Sequence, residues 1–168
     1  MLRRFALIGA SASAIGLTIG GVSLASSSTG NGEAGDQHRR TFKLLELQQS
    51  LVAEDPGSFE NPKPGDSFLI HSILTAPGGD AADTVGRADF KCTDLSAPPT
   101  GVFHCEGTDT FTDGSTIEFA GLGKAAELDF TVSVTGGTGR YLGTSGQIFF
   151  HSLDAEGTKI VATFTLTR

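Results

Sequence analysis

Apolar and polar residues alternate along much of this chain, and almost nowhere recur at helical spacing. In the clearest stretch Leu128, Phe130, Val132 and Val134 share one parity, and Asp129, Thr131 and Ser133 take the other. A second such stretch, Gln147-Ile148-Phe149-Phe150-His151-Ser152-Leu153, follows a run of glycines. A period of two places successive side chains on opposite faces of a strand. The pattern predicts eight strands: Thr41–Leu51, Ser67–Thr75, Thr84–Thr93, Val102–Thr112, Thr116–Leu122, Leu128–Thr135, Gln147–Leu153 and Lys159–Thr167. Turn-forming clusters separate them: Asp55-Pro56-Gly57, Pro62 to Asp66, Pro77 to Asp80, Ala97 to Gly101, Asp113-Gly114 and Glu156-Gly157. Short strands so spaced predict an all-β sandwich or closed barrel.

Several strands carry apolar residues on both parities. Leu45 and Leu47 oppose Phe42 and Leu44 on the first; Ile148 and Phe150 oppose Phe149 and Leu153 on the seventh. A strand with one wet face does not need this. A barrel filled inside and covered outside by a neighbouring subunit does, so the pattern predicts oligomerisation.

The glycine run from Gly136 to Gly146 contains Gly137-Thr138-Gly139-Arg140-Tyr141-Leu142-Gly143, close to a dinucleotide-binding fingerprint. It has one residue too many, and a strand follows where that motif requires a helix. Glycine supplies the positive φ of tight turns, so the run reads as a hairpin.

Before the first strand the pattern changes. Arg3 and Arg4 precede an uncharged run from Phe5 to Ala25 that ends in Ser23-Leu24-Ala25, a small-x-small cleavage pattern. This predicts a secretory signal peptide over residues 1–25, then a polar Gly/Ser-rich linker over 26–40 and one domain over 41–168. The predicted location is secreted, extracellular or at a bacterial cell envelope, without membrane association once the signal is removed. In an oxidising compartment the only two cysteines, Cys92 and Cys105, are expected to pair. With 12 basic and 19 acidic residues the net charge is −7, which argues against a nucleic-acid partner. His71, His104 and His151 fall on three different strands without metal-ligand spacing, and no metal or other cofactor is expected.

From Val134 through Tyr141, with Gly143 and Gly146-Gln147, the hairpin resembles that of the allene oxide cyclase-like barrel proteins and their dirigent relatives. Gly65-Asp66, Val85-Gly86 with Cys92, and Glu156-Gly157-Thr158 extend the resemblance over about Thr41 to Arg168. It implies an eight-stranded antiparallel β-barrel, usually a homotrimer, that holds a small hydrophobic ligand or substrate inside. The implied function is an isomerase or cyclase. The alternative is a non-catalytic, dirigent-like binding protein or stereochemical guide; a third reading is a barrel filled by its own side chains.

Glu46-Leu47-Gln48 is similar to the cyclases' Glu-x-Asn, which makes Glu46 and Gln48 the candidate catalytic residues and Phe42, Leu44 and Ser72 pocket residues. A carboxylate among apolar side chains has a raised pKa, useful for proton transfer or for facing positive charge. Gly123 stands where the cyclases carry an interior Tyr. The dirigent pattern of several barrel aspartates is not clearly matched: Asp89 and Asp109 are the candidates for it, and both read as surface residues.

Overall fold

The computed structural model describes residues 39–54, 62–96, 101–124, 127 and 129–168. The expected signal peptide, nearly all of the linker, Leu128, and the turns at Asp55-Pro56-Gly57 and Ala97-Pro98-Pro99-Thr100 lie outside them. Among the described residues eight strands form: β1 (Arg40–Ala53), β2 (Ser67–Thr75), β3 (Thr84–Asp94), β4 (Val102–Phe111), β5 (Thr116–Lys124), β6 (Asp129–Thr138), β7 (Ser145–Ser152) and β8 (Lys159–Thr167). Each pairs antiparallel with the next, and β8 pairs with β1 from Arg40↔Leu166 to Leu47↔Lys159, so the sheet closes into a barrel. The single-turn 3₁₀ segments Ala81–Asp83 and Gly139–Tyr141 sit in connections.

One parity of each strand fills the barrel. Phe164, Leu74, Ile117, Ile148 and Val132 are among the largest fully buried side chains. Phenyl rings interlock where small residues leave room. A Cβ on Gly107 would collide with Phe90, and one on Gly123 would collide with the ring of Phe103, its cross-strand partner. The ring of Phe103, from β4, thus occupies the space over Gly123, where the resemblance implied a Tyr.

Cys92 and Cys105 lie directly opposite on β3 and β4 and form a disulfide. Both residues are buried, toward the end of the barrel nearest the β3–β4 connection. The bridge closes a loop of 13 residues, for which the chain-entropy model gives about 3 kcal/mol. Replacing both cysteines with Ala is expected to lower the unfolding free energy by about 2–3 kcal/mol in urea titration. A loss equally present when wild type is titrated under reducing conditions identifies the bridge as the cause.

The glycine run does not all serve as turn. Gly136 and Gly137 stay in β6, opposite Glu118 and Ile117, and a register shift between Glu118 and Phe119 absorbs the extra residue. The reversal comes at Gly139–Tyr141 and Gly143, with φ of +57° at Gly139 and +73° at Gly143. Tyr141 folds back under the turn and is buried against Phe42 and Phe111.

Candidate functional site

β1 sends Phe42, Leu44, Glu46 and Gln48 inward, an alternation that follows its burial pattern. Leu44 and Glu46 are buried, while Phe42 and Gln48 are half-buried. Gln48 lies opposite Ser72, which is buried on β2. The five residues singled out from the sequence thus share the interior face. The parity left ambiguous by the sequence is resolved by burial: Leu45 and Leu47 turn outward, level with Val161 and Ile73.

Asp109 joins them, contrary to its reading as a surface residue. β4 points Cys105, Gly107, Asp109 and Phe111 inward, and Asp109 has no solvent exposure. It lies opposite Ala88 on β3, which in turn lies opposite Ser72. Glu46, opposite Leu74, occupies the adjacent layer and is 1% exposed. The sequence held a usable signal: Asp109 is four residues from Cys105, so an inward disulfide places it on the same face. Glycine at 107 interrupts the apolar alternation that would otherwise have shown this. Asp89, by contrast, is on the outer wall, where it pairs with His71 at 2.7 Å and Arg87 at 2.9 Å.

Both interior carboxyls are unsatisfied. All four oxygens of Glu46 and Asp109 are buried without a hydrogen-bond partner among the described residues. Burial removes the water that stabilises a carboxylate, and raises the pKa of Glu46 to about 8. Asp109 is pushed well above its ordinary range by burial, then by the negative charges of Glu46 and Asp89. Burial accordingly favours the protonated form of both acids, able to donate where an ordinary carboxylate only accepts. The other buried polar residues are Ser67, Ser72, Thr75, Ser115 and Thr144, so no buried Lys, Arg or His offsets the two acids among the described residues. No cluster of three or more His, Cys, Asp or Glu side chains suited to a metal occurs among them.

Aromatic rings run from the β2-start end of the barrel toward this layer. Phe68 meets Phe103 at 6.4 Å, Phe103 meets Phe130 at 6.0 Å and Phe130 meets Phe150 at 4.9 Å. Phe150 then contacts Phe119 at 5.8 Å, and Phe119 contacts Phe90 at 5.9 Å. Phe68, Phe103 and Phe130 are only partly buried, so this is the more open end of the interior.

Solved structures share this architecture. Superposition on a pyocyanin demethylase gives a TM-score of 0.62 at 23% identity, covering 76% of this chain and all of that one. A pterocarpan synthase dirigent protein matches with a TM-score of 0.61 at 17% identity, over 80% of this chain and 86% of its own. The dirigent-type barrel is the fold of this chain. The Diels-Alderase AbmU from Streptomyces koyangensis matches with 0.57 at 22%, over 80% and 70%. No protein-family model matches the sequence, and no curated protein matches it. The dirigent-type barrel therefore hosts cyclising and dirigent proteins alike, and the sequence resemblance to that fold group agrees with the structure.

Proposed function

We propose that this barrel is a small-molecule isomerase or cyclase that holds a hydrophobic substrate in its interior and works through Glu46. The observation that carries the reading is the pair of buried carboxyls, unpartnered among the described residues, in a mostly apolar core. Unsatisfied buried polar groups cost stability, and in native proteins they often mark a group kept for chemistry. Fold likeness to cyclases and a Diels-Alderase supports the same class, as an analogy.

The chemistry closes without a cofactor. Protonated Glu46 donates to an oxygen or double bond of the substrate as the electron pair of the breaking bond moves onto that atom. The resulting carboxylate faces the positive charge left on carbon. After ring closure or rearrangement it takes a proton from a neighbouring carbon, which restores the acid and leaves an isomer of the substrate. Burial keeps Glu46 protonated, and Gln48 with Ser72 offers hydrogen bonds that orient the substrate. Confinement by the aromatic rings supplies the remaining selectivity, since holding a flexible molecule near its reactive shape removes much of the entropic barrier.

The protein acts, in this reading, as an exported homotrimer. The outward pairs Leu47–Ile73 and Leu45–Val161 give it an apolar outer stripe to bury, and the disulfide suits an oxidising compartment. Native mass spectrometry, followed by extraction of whatever the protein carries, tests the assembly and the ligand together. A trimer with a bound hydrophobic compound is expected, and an empty monomer would overturn the proposal. Incubation of the extracted compound with Glu46→Gln, which keeps shape but cannot exchange the proton, should slow its conversion about 10²- to 10⁴-fold. A bound compound left unchanged by wild type would instead favour the non-catalytic, dirigent-like guide.

A further inference from the structure

We infer that the Tyr141 end of the barrel carries a phosphate-binding site held by Arg40, Arg140 and Arg168. It lies outside the apolar interior and is independent of what that interior holds. A cavity of about 200 Å³ is lined there by the three arginines with Tyr141, Thr144 and Leu166. The fold brings the guanidiniums from three places. Arg40 opens β1 and pairs with Leu166 in the seam with β8. Arg168 follows the last residue of β8, and Arg140 belongs to the turn between β6 and β7. Tyr141 and Leu166 are buried and separate the cavity from the core.

Three observations point to an anion. The first is charge. The chain carries −7 overall, yet three of the five arginines from residue 39 onward line this one cavity. Arg140 is paired with Asp113 at 3.2 Å, whereas Arg40 and Arg168 form no ion pair among the described residues. Like charges gathered without counter-charge repel, and a bound anion offsets that cost. The second is orientation. Arg40 lies over Phe42 at 5.1 Å, and Arg140 lies over Phe111 at 4.8 Å and Tyr141 at 4.9 Å. Stacking fixes the plane of a guanidinium and leaves N–H donors at its edge for a ligand. The third is Thr144, only 9% exposed, whose hydroxyl makes no hydrogen bond among the described residues although it borders the cavity. A buried hydroxyl without a partner is destabilising until something satisfies it.

The number of donors selects the anion. A carboxylate offers two oxygens, too few for three guanidinium forks and a hydroxyl. A phosphate offers at least three, with up to two negative charges. The cavity admits that group but falls below the roughly 300 Å³ at which sites for larger molecules begin. The phosphate is therefore a free ion or the head of a molecule that otherwise stays outside. Once bound, it ties β1, the end of β8 and the β6–β7 turn together across the closing seam.

Isothermal titration with inorganic phosphate and with glycerol 3-phosphate, in a buffer free of both, tests the site, with acetate as the carboxylate control. Both phosphates are expected to bind, and acetate at least about tenfold more weakly. Arg40→Gln and Arg168→Gln, their folds checked by circular dichroism, should each weaken phosphate binding about tenfold. Arg168 stacks on no ring among the described residues, so its replacement leaves the packing intact. Phosphate should also raise the melting temperature of wild type but not of the double variant. Flotation with phosphatidylcholine vesicles, with and without phosphatidic acid, separates the sources. Retention by phosphatidic acid that is lost in the double variant identifies a lipid head group. Soluble phosphates bound without retention identify a free or soluble phosphate, and either result supports the site. No binding of either phosphate at about 10 mM, equal binding of acetate, or binding undiminished in both arginine variants overturns it. None of these measurements involves Glu46, so the reading of the interior stands or falls separately.

Discussion

Between pH 4.5 and 8 the folded protein is expected to lose stability as pH rises, and Glu46→Gln to lose much less. The sign follows from proton counting. An unfolded chain releases the Glu46 proton near 4.5, whereas the folded chain keeps it until about 8. Across that window the native state binds more protons, so raising the pH favours unfolding, by up to about 1.4 kcal/mol per pH unit. Asp109 and Asp94, also raised, act in the same direction. The lowered carboxyls Glu54, Asp113 and Asp154 act oppositely, and their contribution is lost only as pH falls through the acid range. The variant should therefore exceed wild type in stability by on the order of 3 kcal/mol at pH 8.5, and by little at pH 4.5. Urea titrations at the two pH values measure this. Parallel profiles for the two proteins would show that Glu46 does not carry the strain.

Gly146→Ala should be the most damaging small substitution in the glycine run, while Gly143→Ala should be mild. Gly146 has φ +145° and faces Leu166 on β8, where a Cβ would collide with the carbonyl of Thr165. Backbone atoms of a paired strand have nowhere to go, so accommodating the methyl means breaking the β7–β8 ladder. A loss of at least about 3 kcal/mol is expected, or failure to fold. Gly143 has φ +73°, and a Cβ there would meet nothing within 4 Å, so only left-handed strain of about 1–2 kcal/mol remains. Thermal melts of the two variants side by side separate crowding from strain. Equal shifts would contradict the argument.

The same contrast explains what could be read from the sequence. Alternation and turn residues placed β2 and β8 at their observed limits, because Pro, Gly and Asp punctuate the neighbouring connections. β6 runs three residues past its expected end at Thr135, because Gly136 and Gly137 read as turn when the register shift at Glu118/Phe119 keeps them paired. The linker expected through residue 40 gives up Arg40, which pairs with Leu166 in β1. Glu46 was legible through its resemblance to a motif, since apolar neighbours on both parities hid which face it took. Asp109 was not, because its strand alternates Cys, Gly, Asp and Phe, an inward face whose small members carry no hydrophobic signal. Charge placement inside a barrel depends on which parity faces in, and that is fixed only when all eight strands have joined.

That last joining has a consequence for how the chain reaches its native state. The β1–β8 ladder links elements more than a hundred residues apart, and without it the sheet has two open edges and its acid pair lies open to water. A growing polypeptide that has produced seven strands cannot bury its core, whatever local hairpins it has formed. Closure, and with it the dry interior that sets the pKa of Glu46, requires β8. The raised pKa of Glu46 thus depends on β8 being in place: without it the same carboxyls are ordinary, hydrated acids.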